Sequence, residues 1–273
     1  MDSAAPNDPP VLVERDDAEA VTTVRLNRPD SRNALTVELK VALRDALAQV
    51  AEDTSVRAVV LASTGPAFCV GQDLREHAES LRGESSPGGS LSTVTEHYNP
   101  IATSLAGMAK PVVASITGTT VGAGLGFVLA CDLRVAAAGT KFATAFSGIG
   151  FGGDSGLSAT LAHCVGASRA TDLLMLGDTF TAEQAHDWGI VREVAADTEA
   201  TETAALALAR RLAAGPTLAY AEIKRAVALG TVSPLATVLE HEAHAQVRLG
   251  ATQDHRDAVE AFLAKEKPVF NGR

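Results

Sequence analysis

The sequence is poor in the residues that would indicate a metal centre, a disulfide framework or a nucleic-acid-binding protein. Its three cysteines, Cys69, Cys131 and Cys164, are scattered and form neither a paired framework nor a metal-ligand spacing, so we expect reduced thiols. Basic residues are few, with 23 lysines and arginines against 33 acids and a formal charge of −10. This balance argues against nucleic acid or an anionic membrane as a general partner. The 273 residues, 46% of them hydrophobic, can still form a sizeable core.

We also expect neither a membrane span nor a signal peptide. The stretch between Lys110 and Asp132 has no charged residue and is long enough to raise the question of a span. However, Val112–Ile116 favours a short strand, and the glycines at 122–126 would loosen a continuous helix, so strand, tight loop and short buried helix fit better. The start, MDSAAPNDPP, has acids and prolines in place of a basic and then apolar segment. We therefore expect a cytoplasmic protein with a disordered tail over residues 1–10.

Local patterns predict an α/β fold. Val21–Leu26 is rich in β-branched residues and predicts a strand that enters a loop at residues 27–33. Leucines recur every four residues from Leu35 to Leu47 behind Thr36, which predicts a capped amphipathic helix. The next strand is predicted at residues 57–63, and this alternation of strands and helices is typical of an α/β domain. Beyond residue 198 the chain turns alanine-rich, with helices predicted at 204–213, 216–229 and 234–249.

The glycine turn GAGLG at residues 122–126 is a candidate anion site. A turn that opens a helix brings unpaired backbone N–H groups and the positive end of the helix dipole to one point. The motif is not GxGxxG, and no acid follows about twenty residues later to hold a ribose, which argues against a dinucleotide site. The same glycines could instead serve close packing of helix and strand. The motif alone leaves both interpretations open.

Five segments, in the same order, resemble the enoyl-CoA hydratase/isomerase (crotonase) superfamily over nearly the whole chain. They are RLNRPDSRNALT (25–36), AFCVGQDL (67–74), KPVVASITGTTVGAGLGFVLACD (110–132), AEQAHDWGIV (182–191) and AFLAKEKPVFNG (261–272). The motifs are most similar to the phenylacetate-pathway epoxide isomerase-like and chlorobenzoyl-CoA dehalogenase-like members. The resemblance implies a spiral of β-β-α units at residues 11–198. It also implies a C-terminal helical region at 199–273 that packs subunits into homotrimers, alone or paired as hexamers.

The resemblance implies a coenzyme A thioester as substrate, with no bound cofactor and no metal. The backbone N–H groups of Gln72 and Ala123 would hold the thioester oxygen, and loss of one such donor costs about 3 kcal/mol. Six residues match positions that contact coenzyme A, the last two from a neighbouring subunit: Arg25, Arg28, Arg32, Ala34, Phe262 and Lys265. From charge alone, the three arginines could equally form a solvated face.

The acids of the chain bear on the type of reaction. Family hydratases activate water with two glutamates, and the matching positions here hold Gly126 and Phe146, which cannot accept a proton. Between residues 111 and 171 the only acids are Asp132 and Asp154. Asp132 matches a structural aspartate of the family, whereas isomerase-type members carry an aspartate at the place of Asp154. We therefore expect Asp154 to be the catalytic base.

Several alternatives remain open from the sequence. Asp154 could simply cap a helix beginning near Ser155. His97, in the EHY tripeptide, is expected near the acyl pocket and could assist catalysis, although a lone histidine is more often structural or exposed. The expected function is an isomerase-type acyl-CoA enzyme. The alternatives are a hydratase, a dehalogenase-like enzyme with Asp154 as nucleophile and His97 assisting, and an acyl-CoA binder without activity. Residues 82–93 are predicted to form a mobile loop over the acyl pocket.

Overall fold

The computed structural model describes residues 8–83 and 92–273 of the chain. The predicted disordered tail and the predicted mobile loop fall mainly outside these ranges. Pro9 and Pro10 lie inside them, and their carbonyl oxygens accept hydrogen bonds from Asn27, from Nδ2 at 3.0 Å and from the backbone N–H at 2.8 Å. The first described residues are therefore attached to the loop at residues 27–33.

The strands and helices alternate along the chain, as the sequence predicts. The strands are β1 (Val11–Asp16), β2 (Val21–Leu26), β3 (Ala58–Ser63), β4 (Ala67–Cys69), β5 (Val112–Ile116), β6 (Thr119–Val121), β7 (Leu133–Ala137), β8 (Lys141–Ala143), β9 (Phe180–Thr181) and β10 (Glu193–Ala195). The helices are α1 (Val37–Glu52), α2 (Leu74–Gly83), α3 (Asn99–Gly107), α4 (Ala123–Ala130), α5 (Leu157–Val165), α6 (Ala167–Leu176), α7 (Ala182–Asp187), α8 (Thr198–Ala213), α9 (Thr217–Gly230), α10 (Leu235–Gly250) and α11 (Gln253–Ala264). The architecture is α/β.

Two sheets organise the described residues. The larger has six strands in the order β1-β2-β3-β5-β7-β10, in which only the β1–β2 pair is antiparallel. The smaller has four strands in the order β4-β6-β8-β9, with only β8–β9 antiparallel. Successive strands of the chain thus alternate between the sheets from β3 to β8, which builds a spiral and brings the ends of β4 and β6 next to each other.

The larger sheet is covered on both faces. Along β3, successive side chains point to opposite sides. Val59 and Leu61 join a core that contains the α1 leucines, and Val60 joins a second core with Ala205 and Ala209 of α8. The predicted C-terminal region therefore begins with a helix that packs on the sheet, and the division of the chain at residue 198 stays a prediction.

Most predicted elements are confirmed, with their limits shifted by capping residues. Thr36 caps α1 by accepting a hydrogen bond from the Leu39 N–H at 3.3 Å, as predicted. The predicted helix at 204–213 begins earlier, at Thr198, because Asp197 accepts from the Ala200 N–H at 2.8 Å. Helix α11, which Thr252 caps, was not predicted. Within the two described ranges, no helix has the length and apolar character needed to cross a membrane.

Candidate active site

A cavity of about 310 Å³ opens between α2, the helical turn Val94–Tyr98 and the segment that connects β8 to α5. Its apolar lining residues are Leu74, Val94, Phe146, Ile149 and Phe151. Its polar lining side chains are Gln72, His77, Thr93, Tyr98 and Asp154. A largely apolar cavity with a few converging polar groups is the usual form of a small-molecule site.

Two glycine turns meet beside Gln72. Gly71 (φ 82°) precedes Gln72, and Gly122 (φ 58°) precedes Ala123, the first residue of α4. A Cβ atom on Gly71 would lie 3.2 Å from the Val121 carbonyl oxygen and 3.8 Å from the Ala123 nitrogen, so the two turns touch through their backbones. The turn and loop hydrogen bonds of the described residues do not include one from the Gln72 or the Ala123 N–H group. Two such donors at the start of a helix can bind an anion or a developing oxyanion.

The other glycines of the turn allow α4 to approach its neighbours. A Cβ atom on Gly124 would lie 2.7 Å from the Cys69 Cβ, and one on Gly126 would lie 2.6 Å from the Ser155 Cβ. Both interpretations of GAGLG therefore hold, because Gly122 provides the left-handed turn while Gly124 and Gly126 serve close packing. The approach also seats α4 directly against the residue that follows Asp154.

Asp154 lines the cavity and does not cap a helix. Its Oδ1 accepts a hydrogen bond from Ser155 Oγ at 2.8 Å. Helix α5 begins at Leu157 with Gly156 as its N-cap and has no side-chain cap. The capping interpretation is therefore wrong. Burial raises the pKa of Asp154 above its ordinary value, and the Ser155 hydroxyl opposes that shift.

Tyr98, and not His97, is the residue of EHY that faces the cavity. His97 is buried, its Nδ1 lies 3.1 Å from Thr93 Oγ1, and it is absent from the described cavity lining. Burial lowers the pKa of His97, and the charges of Lys40 and Arg44 lower it further. His97 therefore lies near the cavity, behind the lining residue Thr93, and Tyr98 is the neighbour that lines it. An assisting role for His97 stays a prediction.

His77 also lines the cavity, and the sequence analysis missed it. It lies one turn along α2 from Leu74 and meets Phe151 edge-on, with ring centroids 6.1 Å apart. The signal in the sequence was its position five residues after Gln72, on the helix that follows the first turn.

A buried lysine stands behind Gln72 and was also missed. Lys40 is 1% exposed, and its Nζ donates to Gln72 Oε1 at 3.2 Å and to Thr93 Oγ1 at 2.7 Å. Tyr98 Oη donates to the same Gln72 oxygen. Burial, followed by the charge of Asp154, raises the pKa of Tyr98, so its hydroxyl stays a donor. Lysines are seldom fully buried, and nothing in the leucine pattern of α1 marked this one.

The three arginines predicted to contact coenzyme A lie in two environments. The guanidinium of Arg25 forms ion pairs with Glu202 of α8 at 2.7 Å and with Glu14 at 3.2 Å. Its positive charge is therefore already balanced by two carboxylates. Arg28 donates to the Ala34 carbonyl oxygen at 2.5 Å and lies 3.4 Å from Asp73 Oδ2.

Ala34 and Asp73 flank the bridge between Leu35 and Gln72, so Arg28 lies close to the first glycine turn. Arg32 is exposed in a left-handed conformation (φ 52°). Arg28, Arg32 and Ala34 thus lie on one tight loop, of which Arg28 and Ala34 are beside the first glycine turn. Arg25 lies apart from them on β2, and its contact with coenzyme A stays a prediction.

The C-terminal candidates lie outside the cavity. Phe262, near the end of α11, is 80% exposed, and Lys265 ends that helix in a left-handed conformation. Neither is among the described residues that line the cavity. Across residues 8–83 and 92–273, no group of three or more histidines, cysteines and acids is arranged to hold a metal ion.

With the site in place, comparison with known proteins identifies the family. The sequence profile of enoyl-CoA hydratase/isomerase matches residues 16–273. The chain belongs to the enoyl-CoA hydratase/isomerase family. It is therefore an enzyme of the crotonase superfamily, whose substrates are carried as coenzyme A thioesters, and the predicted crotonase-type fold is confirmed.

Individual relatives agree with this assignment. The chain is 37% identical to the 1,2-epoxyphenylacetyl-CoA isomerase of Escherichia coli strain K12 over 255 residues, which cover 93% of this chain and 96% of the relative. It is 32% identical to 4-chlorobenzoyl coenzyme A dehalogenase-2 of an Arthrobacter species, over 91% of this chain and 89% of the relative. A solved structure from Mycobacterium abscessus, named for the enoyl-CoA hydratase/isomerase family, is 49% identical with a TM-score of 0.90, covering 96% and 100% of the two chains. The predicted likeness to epoxide isomerase and dehalogenase members is confirmed.

The raised pKa of Asp154 leads to a prediction on stability. Because the folded state holds this proton more tightly than the unfolded chain, the associated stability is complete below the unfolded pKa and is lost as the pH rises through the folded pKa. Above that pH the parent contains a buried carboxylate that Asp154→Asn lacks. The variant should therefore melt at a higher temperature than the parent at about pH 8, by about 2–4 °C for each kcal/mol relieved. Thermal unfolding followed by circular dichroism measures this, and the gap should shrink towards about pH 4. A variant that melts below the parent at pH 8 would contradict the pKa direction.

Proposed function

We propose that the chain is an isomerase-type acyl-CoA enzyme that forms a thioester enolate and uses Asp154 as its base. One observation supports this most directly. Among the described residues that line the cavity, Asp154 is the only carboxylic acid, and Gln72 lines the same cavity. A base with a pKa raised by burial is better matched to neutral pH than an ordinary aspartate.

The proposed reaction uses two kinds of group, the backbone N–H donors and the Asp154 carboxylate. The N–H groups of Gln72 and Ala123 donate to the thioester oxygen, which stabilises the negative charge formed when a proton leaves the α-carbon. Removal of one such donor costs about 3 kcal/mol in comparable sites. The Asp154 carboxylate takes that proton and returns it at another carbon of the acyl group, which shifts a double bond, or the enolate opens a strained ring.

Hydration is the less supported alternative. The two positions at which family hydratases carry glutamates hold Gly126 and Phe146. A side chain at position 126 would collide with Ser155, since its Cβ would lie 2.6 Å from the Ser155 Cβ. Phe146 contributes an apolar ring to the cavity lining. Water would therefore have to be activated without either glutamate.

The dehalogenase-like alternative also loses support. It needs Asp154 as a nucleophile with assistance from His97, yet His97 is not among the described lining residues, and its Nδ1 lies against Thr93 Oγ1. The rings of Tyr98, Phe146 and Phe151 support a compact, ring-bearing acyl group. The name of the Escherichia coli relative, a 1,2-epoxyphenylacetyl-CoA isomerase, agrees with such a group.

We also propose where coenzyme A is held. Arg28, Arg32 and Ala34 lie on one tight loop next to Gln72, and guanidinium groups bind phosphate oxygens well. Phe262 and Lys265 would contact the coenzyme A of a neighbouring subunit. The cytoplasmic location stays a prediction.

Replacement of Asp154 tests the proposed base. Asp154→Asn keeps the size of the side chain but cannot accept the proton, so turnover should fall by roughly 100-fold or more while binding of acyl-CoA survives. The measurement is exchange of the α-protons of phenylacetyl-CoA and but-3-enoyl-CoA with D2O, followed by mass spectrometry. The exposed acid Asp172 provides a matched control, because Asp172→Asn makes the same chemical change outside the cavity.

The same experiment separates the alternatives. With 4-chlorobenzoyl-CoA as substrate, a nucleophilic Asp154 would displace chloride and leave a covalent aryl adduct on the parent enzyme, visible as a mass increase, whereas a base leaves none. An acyl-CoA binder without activity would show no exchange in parent or variant. An Asp154→Asn protein as active as the parent would exclude both catalytic roles.

Hydration of crotonyl-CoA provides a second test. Because Gly126 and Phe146 supply neither acid nor base, the rate should lie several orders of magnitude below that of a dedicated family hydratase assayed in parallel. The loss of the enoyl absorbance measures it. Turnover at the level of the dedicated enzyme would refute the isomerase assignment.

We further propose a homotrimer, alone or paired as a hexamer. A groove of about 790 Å³ runs between α9, α10 and α11 and is lined mainly by apolar residues. Large apolar side chains are exposed on these helices: Ile223, Val227, Leu235, Leu239, Val247 and Phe262. Exposed apolar surface of this extent is typical of a subunit interface.

Light scattering tests the assembly. At micromolar concentration the protein should have the mass of three or six chains. Val247→Glu and Leu239→Glu should shift it towards the monomer, since each places a charge on the exposed apolar face. A monomeric parent would refute the assembly and with it the contacts proposed for Phe262 and Lys265.

A further inference from the structure

Lys40 is a fully buried cation beside the first glycine turn, which holds Gly71 and Gln72. It is the fourth residue of α1, and its side chain is 1% exposed. Its Nζ donates to Gln72 Oε1 and Thr93 Oγ1 and lies 5.4 Å from the centroid of the Tyr98 ring. All three neighbours line the cavity, so the ammonium lies directly behind the cavity wall.

The surroundings of this lysine supply little counter-charge. Burial of an ammonium group costs several kcal/mol unless a close counter-charge offsets it. The nearest carboxylate oxygen, Oε1 of Glu76, lies 3.9 Å away on a side chain that is 35% exposed. A cation in the first turn of a helix is also disfavoured by the helix dipole. An apolar residue of the same length would suit α1 at least as well.

Lys110 shows what a structural buried lysine looks like in this chain. It is also buried, and its Nζ donates to the carbonyl oxygens of Val50 at 2.9 Å and Asp53 at 2.7 Å. These oxygens are at the C-terminal end of α1, where helix carbonyl groups lack partners within the helix. Lys110 thus satisfies the backbone and complements the dipole. Lys40 does neither.

The contacts of Lys40 converge on one residue of the reaction site. Gln72 Oε1 accepts from both Lys40 and Tyr98. The backbone of Gln72 is held on the other side by Leu35, whose N–H donates to the Gly71 carbonyl oxygen at 2.8 Å. Gly71 is left-handed and has no side chain to fix the turn. The Leu35 carbonyl oxygen also accepts from the Asp73 N–H at 3.2 Å, and the Gln72 side chain adds a restraint on the cavity side to this backbone bridge.

We propose that Lys40 is a positioning residue for the thioester-oxygen site. Its ammonium holds Gln72 by the side-chain oxygen, which keeps the Gln72 N–H directed at the thioester oxygen. The inference rests on the proposed enolate chemistry, because only a developing oxyanion requires that N–H to be fixed. Lys40 acts through Gln72 and does not itself touch the substrate.

A double-mutant cycle tests the proposal. Lys40→Met keeps the length of the side chain and removes the ammonium, and Gln72→Leu removes the acceptor while retaining the backbone N–H. Each should lower kcat for α-proton exchange of phenylacetyl-CoA by roughly 10-fold, with KM changed by less than about 3-fold. In the Gln72→Leu background, Lys40→Met should have little further effect. Equal losses in both backgrounds, or an unchanged kcat in Lys40→Met, would overturn the proposal.

Lys110→Met is the matched control. It removes a buried ammonium from the other end of the same helix, so it should lower stability but leave kcat of the folded enzyme unchanged. If this control lost as much kcat as Lys40→Met, the loss would be a general consequence of removing a buried ammonium group. That result would overturn the proposal. If Lys40→Met does not fold, Gln72→Leu and Tyr98→Phe decide, since each must lower kcat without raising KM.

A spectroscopic measurement separates this inference from the proposed function. In the Asp154→Asn background, the carbonyl stretch of ¹³C-labelled phenylacetyl-CoA thioester should move to lower frequency on binding, and Lys40→Met should reverse part of that shift. No shift in the Asp154→Asn protein, together with no exchange in the parent, would refute the proposed function itself. A shift that Lys40→Met leaves intact would refute only the role of Lys40.

Discussion

The site depends on a contact between two backbone turns, at Gly71 and at Gly122, where neither residue has a side chain. Gly71 and Gly122 bring the first turn within van der Waals distance of the second, and Gly124 lets α4 rest on Cys69. A methyl group on Gly124 would lie 2.7 Å from the Cys69 Cβ, so even alanine would push the helix away. The packing of the glycines therefore sets the spacing between the Gln72 and Ala123 N–H groups. The polar side chains Lys40 and Tyr98 are hydrogen-bonded to the side chain of Gln72, which carries one of these N–H groups.

The far end of α4 is held equally firmly. Asp132 follows this helix, and its Oδ2 accepts from the Val112 N–H and from Lys224 Nζ, both at 2.8 Å. Lys224 belongs to α9, which lies far along the chain. The helix that carries the Ala123 donor is thus tied to β5 of the larger sheet and to the C-terminal helices. The Asp132–Lys224 pair is partly buried, so a displacement of α9 would weaken the contact that links it to the end of α4.

The sequence could predict the features that depend on a local residue pattern or on a count of the few acids in one segment. The leucines from Leu35 to Leu47 give α1, the β-branched runs give β2 and β5, and the scarcity of acids after β5 singles out Asp154. What it could not predict depends on long-range contact. Arg25 is occupied by Glu202, 177 residues later in the chain. Lys40 is buried by groups that only the fold brings together, and a single helical turn decides that Tyr98 and not His97 faces the cavity.

In the reaction we propose, the charges around the cavity would favour proton transfer at both of its ends. Asp154 sits among apolar side chains, where its ionised form is disfavoured, and it would become neutral on taking the proton. The negative charge would then move to the thioester oxygen, beside two N–H donors and the dipole of α4, with the Lys40 ammonium behind Gln72. Asp154 is the only acid among the described residues that line the cavity, so these residues offer no second acid with which to activate a water molecule. The proposed reaction therefore moves a proton within the acyl group and adds no water molecule to it.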